Sequence, residues 1–483
     1  MGDRLSGLDA SFLHLEQGGA HMHVASTTIF EGPTPEYDEF RDHIDSRLHL
    51  VPRFRQKLRF IPFGLSRPVW EDDPHLNLEY HVRQTALPEP GSEEQLRILA
   101  ARVFSQALDR SKPLWELWLV DGLEGDRFAV VGKSHHALVD GVSGVDITTV
   151  LYDTDREPAA PPQSPSAWLP KPEPSTAEIV AEAVLDRLTN PREIASGVTG
   201  ILRAPREIAG RIQEGVSAIG EFAGTGLGAP PSPFNVDISG HRRFAWVRGD
   251  LGQLKEIKNR LGGTVNDVVL ATVAGALGRY LRARGHSTSG LELRAMVPIS
   301  VRAADEHGAL GNKVSAMMAP LPVGVEDPAA RLRRLTETMG DLKSSRQAVG
   351  ATLLTELTGF APPTIAAQAA RLQARQRFFN LVVTNVPGPQ FPLYVLGREL
   401  QATFPMVPLA KRQAVCVGIM SYNGAINFGL IGDYDAIPDL DQLAGDLESS
   451  LAQLAAVAEA FPAPAGETAG ARAQNGAGAP AQN

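Results

Sequence analysis

The sequence predicts an α/β protein made of two halves, and three observations predict it. Short apolar, β-branched runs alternate with longer segments of helical periodicity through residues 1–154, and the same alternation returns through 236–460. Between them, residues 155–175 hold Pro161, Pro162, Pro165, Pro170, Pro172 and Pro174 among polar neighbours, the composition of an extended linker. At 483 residues the chain is long enough for two or three domains, each with its own core.

In chain order, Val24–Phe30 reads as a strand and Glu93–Ala107 as a helix. Leu117–Val120 and Phe128–Val131 read as a hairpin around Gly122–Asp126. Arg53, Arg55, Lys57 and Arg59 alternate with Phe54, Gln56, Leu58 and Phe60, which on a strand gathers four cations on one face. That face is either solvated or a site for CoA phosphates or lipid headgroups. Ser175–Glu178 and Asn190–Glu193 have the form of helix N-terminal caps. They open an amphipathic stretch, 176–222, with seven acids against five arginines. This stretch is either a helical brace or a lipid-facing lid, and its acidic balance disfavours strong attraction to anionic lipid. Gly224–Pro233 is a second joint. The second half then reads as a strand at Arg242–Arg248, helices at Leu251–Leu261 and Val265–Leu281, a strand running into a loop over Arg294–Arg302, and strands at Leu381–Thr384 and Ile426–Ile431. Residues 461–483 hold hardly any large apolar side chain and read as a disordered tail. The division expected is therefore 1–154, a linker with helices over 155–235, a second domain over 236–460, and the tail.

Composition narrows the function. A net charge of −9 gives no global pull on nucleic acid. The lone cysteine, Cys416, lies in the apolar run Ala414–Val417, reads as core rather than nucleophile, and fits a reducing, cytoplasmic setting. The first twenty residues carry no secretory pattern, and no apolar run reaches the roughly 18 residues that span a bilayer.

The most informative segment is Ser134-His-His-Ala-Leu-Val-Asp-Gly141, which follows the strand-like run Phe128–Gly132. It places His135 and His136 at a strand end, where side chains are held yet reach substrate. Imidazole accepts and returns a proton near neutral pH. Neighbours on extended backbone face opposite sides, so the two histidines should do different jobs. Gly141 permits the turn that an aspartate-glycine pair favours. Metal binding through the histidines and Asp140 is the competing reading, but adjacent strand histidines diverge and no third ligand is evident. The sequence therefore implies no metal.

This HHxxxDG pattern resembles the active-site motif of the CoA-dependent acyltransferase superfamily. Further segments resemble the bacterial wax ester synthase/diacylglycerol acyltransferase branch: Leu5–Phe12 with Met22-His-Val24, Pro113-Leu114-Trp115, Asn266-Asp267, Thr384–Pro389 and Gly432-Asp-Tyr-Asp435. The resemblance runs from about residue 4 to about residue 460. It implies two chloramphenicol-acetyltransferase-like domains in a pseudo-twofold arrangement with a channel between them.

By position in the motif, the resemblance implies that His136 is the general base and that His135 supports it or shapes the turn. It places Asp140 away from substrate, paired with Arg302. Asn266 is a candidate oxyanion donor, with Asp267 beside it in a supporting role; the alternative is that both only cap the following helix. Pro113, Leu114 and Trp115 are candidates to line the acyl channel, against ordinary packing. The activity implied is transfer of a long-chain acyl group from acyl-CoA, a co-substrate and not a cofactor, to diacylglycerol or a fatty alcohol. The enzyme would meet a membrane or lipid droplet peripherally, with no nucleic-acid partner. A carrier-dependent condensation domain and a non-catalytic droplet coat protein are the competing classes. The first lacks a flanking carrier segment and the second predicts decay of a motif that is intact.

Overall fold

The computed structural model describes residues 3–16, 18–62, 66–139, 151–158, 168–172, 228–300, 314–344 and 378–461, with positions 175, 178 and 181. In chain order the first half contains β1 (Asp3–Arg4), α1 (Gly7–Leu15), β2 (His23–Glu31), α2 (Tyr37–Arg47), β3 (Gln56–Arg59), β4 (Val69–Asp72), α3 (Leu78–His81), β5 (Val82–Ala86), α4 (Glu93–Ser105), β6 (Trp115–Leu123), β7 (Arg127–His135) and the single turn α5 (His136–Val139). The second half contains β8 (Arg242–Asp250), α6 (Leu251–Leu261), α7 (Val265–Ala283), β9 (Leu293–Ser300), β10 (Val314–Leu321), α8 (Pro328–Ser344), β11 (Leu381–Pro387), β12 (Tyr394–Val395), β13 (Arg398–Met406), β14 (Val415–Tyr422), β15 (Ala425–Asp433) and α9 (Leu440–Ala460).

Two six-stranded mixed sheets carry the halves, in the orders β12-β13-β2-β7-β6-β5 and β10-β9-β11-β14-β15-β8. A small sheet, β1-β4-β3, stands beside the first. The hairpin expected around Gly122–Asp126 forms, with Trp115 opposite Ser134 and Leu119 opposite Val130. Strand β13, from the second half of the sequence, pairs along β2 from Met406 opposite Ala25 to Leu400 opposite Phe30. The first sheet is thus completed by the second half of the chain, an exchange with no local signal in either strand.

Local chemistry explains the helix ends. Ser92 and Gln95 form a reciprocal capping box at the start of α4. Asp250 caps α6, which ends at Gly262 with φ 90°, a conformation that favours glycine. At the start of α7, Thr264 and Asp267 exchange hydrogen bonds of 2.8 and 3.2 Å. The expected cap at Ser175 is present: its hydroxyl accepts the Glu178 N–H and its own N–H donates to Glu178 Oε2.

Each half has its own core, the second centred on α7, whose residues Val268–Leu277 are buried among β10, α6, α8 and α9. A third apolar cluster joins the halves, bringing Ile29, Val120 and Val131 together with Phe244, Trp246 and Ile431. Among the described residues no single helix is long and apolar enough to cross a membrane.

One expectation is corrected. Arg53, Arg55, Lys57 and Arg59 do not share one strand face, because Pro52–Arg55 form a 3₁₀ turn and the strand starts at Gln56. Pro52 supplies a fixed φ suited to a turn and no N–H for a ladder. The cations are spent locally: Arg53 lies over Trp70 and pairs with Asp3, Arg55 lies over Trp168, and Lys57 and Arg59 meet Glu71. The strand read from Arg294 is present as β9 through Ser300, the last residue described there. Asp140, Gly141, Arg302, Asn190–Glu193, the expected tail beyond Phe461 and nearly all of 176–222 lie outside the described residues.

Candidate active site

Strand β7 delivers the histidine pair as expected. His135 is its last residue and His136 opens the turn α5. The backbone is pinned at both: His135 N–H donates to Leu114 O and His136 N–H to Met22 O, each at 2.9 Å. The side chains diverge. His136 is half-buried, its ring stacked on Phe12 of α1 at 3.9 Å between centroids and 21° between planes. His135 is 1% exposed.

The His135 ring shapes the turn. Its Nδ1 accepts the N–H of Ala137 at 3.1 Å, which leaves Nε2 to carry the ring proton. Nε2 faces Glu16 Oε2 at 3.5 Å. Glu16 is held from two further sides, by Arg110 and by His21 Nδ1 at 3.6 Å. Burial opposes its ionisation, but the neighbouring His135, His21 and Arg110 prevail and hold the carboxyl well below the usual carboxylate range.

Behind the pair lies a second buried polar set. Lys133, on the same face of β7 as His135, has a fully buried side chain 3.3 Å from Glu116 Oε2. It donates to the carbonyls of Val103 and Gln106 at 3.0 Å. Burial pulls its ammonium below the ordinary lysine value against the attraction of Glu116. His23 sits opposite His135 across the β2–β7 ladder and donates from Nε2 to Phe104 O at 2.5 Å. Burial, with Lys133 nearby, pulls it down to about 3, so it is neutral at physiological pH.

The remaining candidates sit elsewhere. Pro113, Leu114 and Trp115 are buried, and the Trp115 indole donates to Phe54 O at 2.8 Å while stacking on His81. Of the two readings the sequence left open for them, this geometry favours packing. Asp267 caps α7, whereas Asn266, half-buried, takes no part in the cap. Among the described residues no hydrogen bond or ring contact joins Asn266 to His136. Cys416 is buried, and burial pushes its thiol up to about 12, the behaviour of a core residue. Sequence reasoning missed Glu16 and Arg110. The one available signal was an acid four residues after Phe12, at helical spacing.

Two mixed-sheet halves sharing a strand, with a histidine pair at the end of β7, define the chloramphenicol-acetyltransferase-like class of acyltransferase folds. Residues 5–269 match the wax ester synthase/diacylglycerol acyltransferase catalytic domain, and residues 310–455 match the WS/DGAT C-terminal domain. The chain belongs to the wax ester synthase/diacylglycerol acyltransferase family and is an acyltransferase. It is 32% identical over 471 residues to a probable diacylglycerol O-acyltransferase of Mycobacterium tuberculosis, covering 95% of this chain and 96% of that one. To a putative diacylglycerol O-acyltransferase of Mycobacterium bovis it is 34% identical over 453 residues, covering 92% and 97%. Among solved structures it superimposes on a wax ester synthase/diacylglycerol acyltransferase from Marinobacter aquaeolei with a TM-score of 0.66 at 29% identity, over 94% of this chain and all of that one. The starter condensation domain of rhizomide synthetase shares the fold at a TM-score of 0.57 and 11% identity, over 95% and 94% of the two chains.

Proposed function

We propose that the protein transfers a long-chain acyl group from acyl-CoA to the free hydroxyl of diacylglycerol, and to fatty alcohols, with His136 as general base. The observation that carries the reading is the placement of His136. Its ring is half-buried and stacked on Phe12, and its backbone N–H is anchored to the Met22 carbonyl at a strand end. A neutral imidazole there takes the proton from the acceptor hydroxyl as the oxygen attacks the thioester carbonyl. The C–S bond of the tetrahedral intermediate then breaks, and the imidazolium returns its proton to the departing CoA thiolate. No covalent enzyme intermediate is needed. Diacylglycerol O-acyltransferase relatives covering most of the chain support the acceptor class.

Both substrates carry long apolar chains, so the enzyme works at a membrane or droplet surface. We place it on the cytoplasmic side, bound peripherally. Flotation of the purified chain with vesicles carrying diacylglycerol tests this, and recovery only in the unbound fraction contradicts it. The chemical reading is tested by thiol release from palmitoyl-CoA. Release that depends on added diacylglycerol or hexadecanol is expected, and release indifferent to any lipid alcohol overturns the assignment.

A further inference from the structure

Helix α1 meets both motif histidines from one side. Phe12 stacks on His136, and Glu16, four residues later and so on the same helical face, meets His135. The Glu16 N–H still donates to Phe12 O at 3.2 Å, so the helical spacing holds through that residue.

We propose that Glu16 is a positioning residue for acyl transfer. Its carboxylate, held by Arg110 and His21, faces Nε2 of His135 at ion-pair distance, and through that ring it sets the peptide that follows His136. The proposal rests on reading His136 as the general base. The chain of contacts is continuous: Glu16 Oε2 to His135 Nε2 at 3.5 Å, then His135 Nδ1 to the Ala137 N–H at 3.1 Å. The His136 N–H is fixed separately, by Met22 O at 2.9 Å. The amides of His136 and Ala137 are therefore both anchored, which fixes the backbone from which the His136 ring projects.

The electrostatics favour one tautomer. With the proton on Nε2, His135 offers a donor to the carboxylate and an acceptor to Ala137. With the proton on Nδ1, a lone pair would face the carboxylate and two N–H groups would face each other at the turn. The side chains of His135 and Glu16 are 1% and 12% exposed, so solvent does little to relieve either clash. Arg110 holds the carboxylate in register, adding a bond of 3.2 Å from Nε and a further bond to Leu13 O at 3.3 Å.

A simple brace between α1 and the loop before β6 would use the same Arg110–Glu16 pair, and the experiment separates the two roles. The full chain is labelled with ¹⁵N-histidine, the ring-nitrogen spectrum is recorded near neutral pH, and His135→Gln identifies the His135 signals. Wild type should show His135 as the Nε2–H tautomer. Glu16→Leu should lose that single form and lower kcat by about 10- to 100-fold with the KM for palmitoyl-CoA unchanged, the pattern of a misplaced catalytic group. Glu16→Gln keeps an acceptor oxygen and should restore both the tautomer and most of the rate.

An Nδ1–H tautomer in wild type overturns the proposal whatever the variants do. So does a Glu16→Leu protein that melts earlier but keeps the Nε2–H form and its kcat. If Glu16→Leu does not fold, a Glu16→Gln protein that has lost the tautomer or the rate overturns it, and one that keeps both sustains it. His136→Ala is assayed alongside. Activity there defeats the general-base reading, whereas an inactive His136→Ala beside an unaffected Glu16→Leu defeats only the positioning role.

Discussion

At the scale of single residues, burial assigns different work to histidines that look alike in sequence. His136 is half-buried, at the position proposed to meet substrate; His135 and His23 are enclosed. The consequence for His23 is measurable. Its folded pKa is pulled to about 3, below the roughly 6.5 of an unfolded histidine. The unfolded chain therefore binds a proton between these values that the folded chain refuses. Its contribution leaves stability whole above about pH 6.5 and erodes it as pH falls toward 3, by up to about 1.4 kcal/mol per pH unit. His43 and His81, also held down by burial, act with the same sign. Replacing His23 by Gln, which retains a donor for Phe104 O, should flatten urea-derived stability against pH across that interval. An unchanged slope would show that His23 is protonated in the folded state. Cys416 yields a second prediction. Its thiol, buried and bonded to Val407 O at 3.0 Å, should react with a soluble disulfide reagent only on unfolding. Rapid labelling of native protein would contradict the packing described.

At the scale of elements, α7 shows how a polar signature can be structural. Thr264 and Asp267 satisfy each other at its start, so Thr264→Ala should cost about 1 kcal/mol in chemical denaturation without changing substrate KM. A KM effect with no loss of stability would return this segment to the substrate site. Further along the helix, Gly275 admits close packing: a Cβ there would stand 2.2 Å from Ser450 Oγ and 2.6 Å from Arg331 Nη2. Gly275→Ala should lower the melting temperature by several degrees, and a neutral result would mean that α9 moves aside at little cost.

Most elements were legible because their signals are local. The period of Val24–Phe30, the capping pattern of Ser175–Glu178 and the apolar length of Val265–Leu281 all reside in contiguous residues. The strand end carrying His135 and His136 was legible for the same reason. Glu16 was not, because its meaning depends on Arg110, 94 residues away, and on the packing of α1 against α5. Nor was the 3₁₀ turn at Pro52–Arg55, where alternating charge imitated a strand.

At the scale of the whole molecule, the two halves are tied by a seam as well as by the shared strand. Asp433, from the Gly432–Asp435 signature, accepts from Ser239 N–H at 2.7 Å and from Arg242 Nη1 at 3.4 Å. Arg242 donates onward to Gly19 O, and its N–H to Ser105 Oγ at 2.9 Å, both in the first half. The Arg242 and Asp433 side chains are 3% and 2% exposed, so removing one partner strands the other in the interior. Asp433→Ala should destabilise the protein by about 3–5 kcal/mol. Retained stability would show that water reaches Arg242. The motif that helps mark the family thus works as a joint between halves, at a distance from the proton transfer assigned to β7.

The central claim, that the half-buried histidine at the end of β7 moves the proton of acyl transfer, is tested most directly by one comparison. Thiol release from palmitoyl-CoA in the presence of diacylglycerol is measured for wild type and His136→Ala at matched folding, with the enclosed Cys416 contributing no signal from native protein. The account predicts a loss of about 10²–10⁴-fold in His136→Ala with its melting temperature preserved. Release within about tenfold of wild type, less than a general base ordinarily contributes, would contradict it.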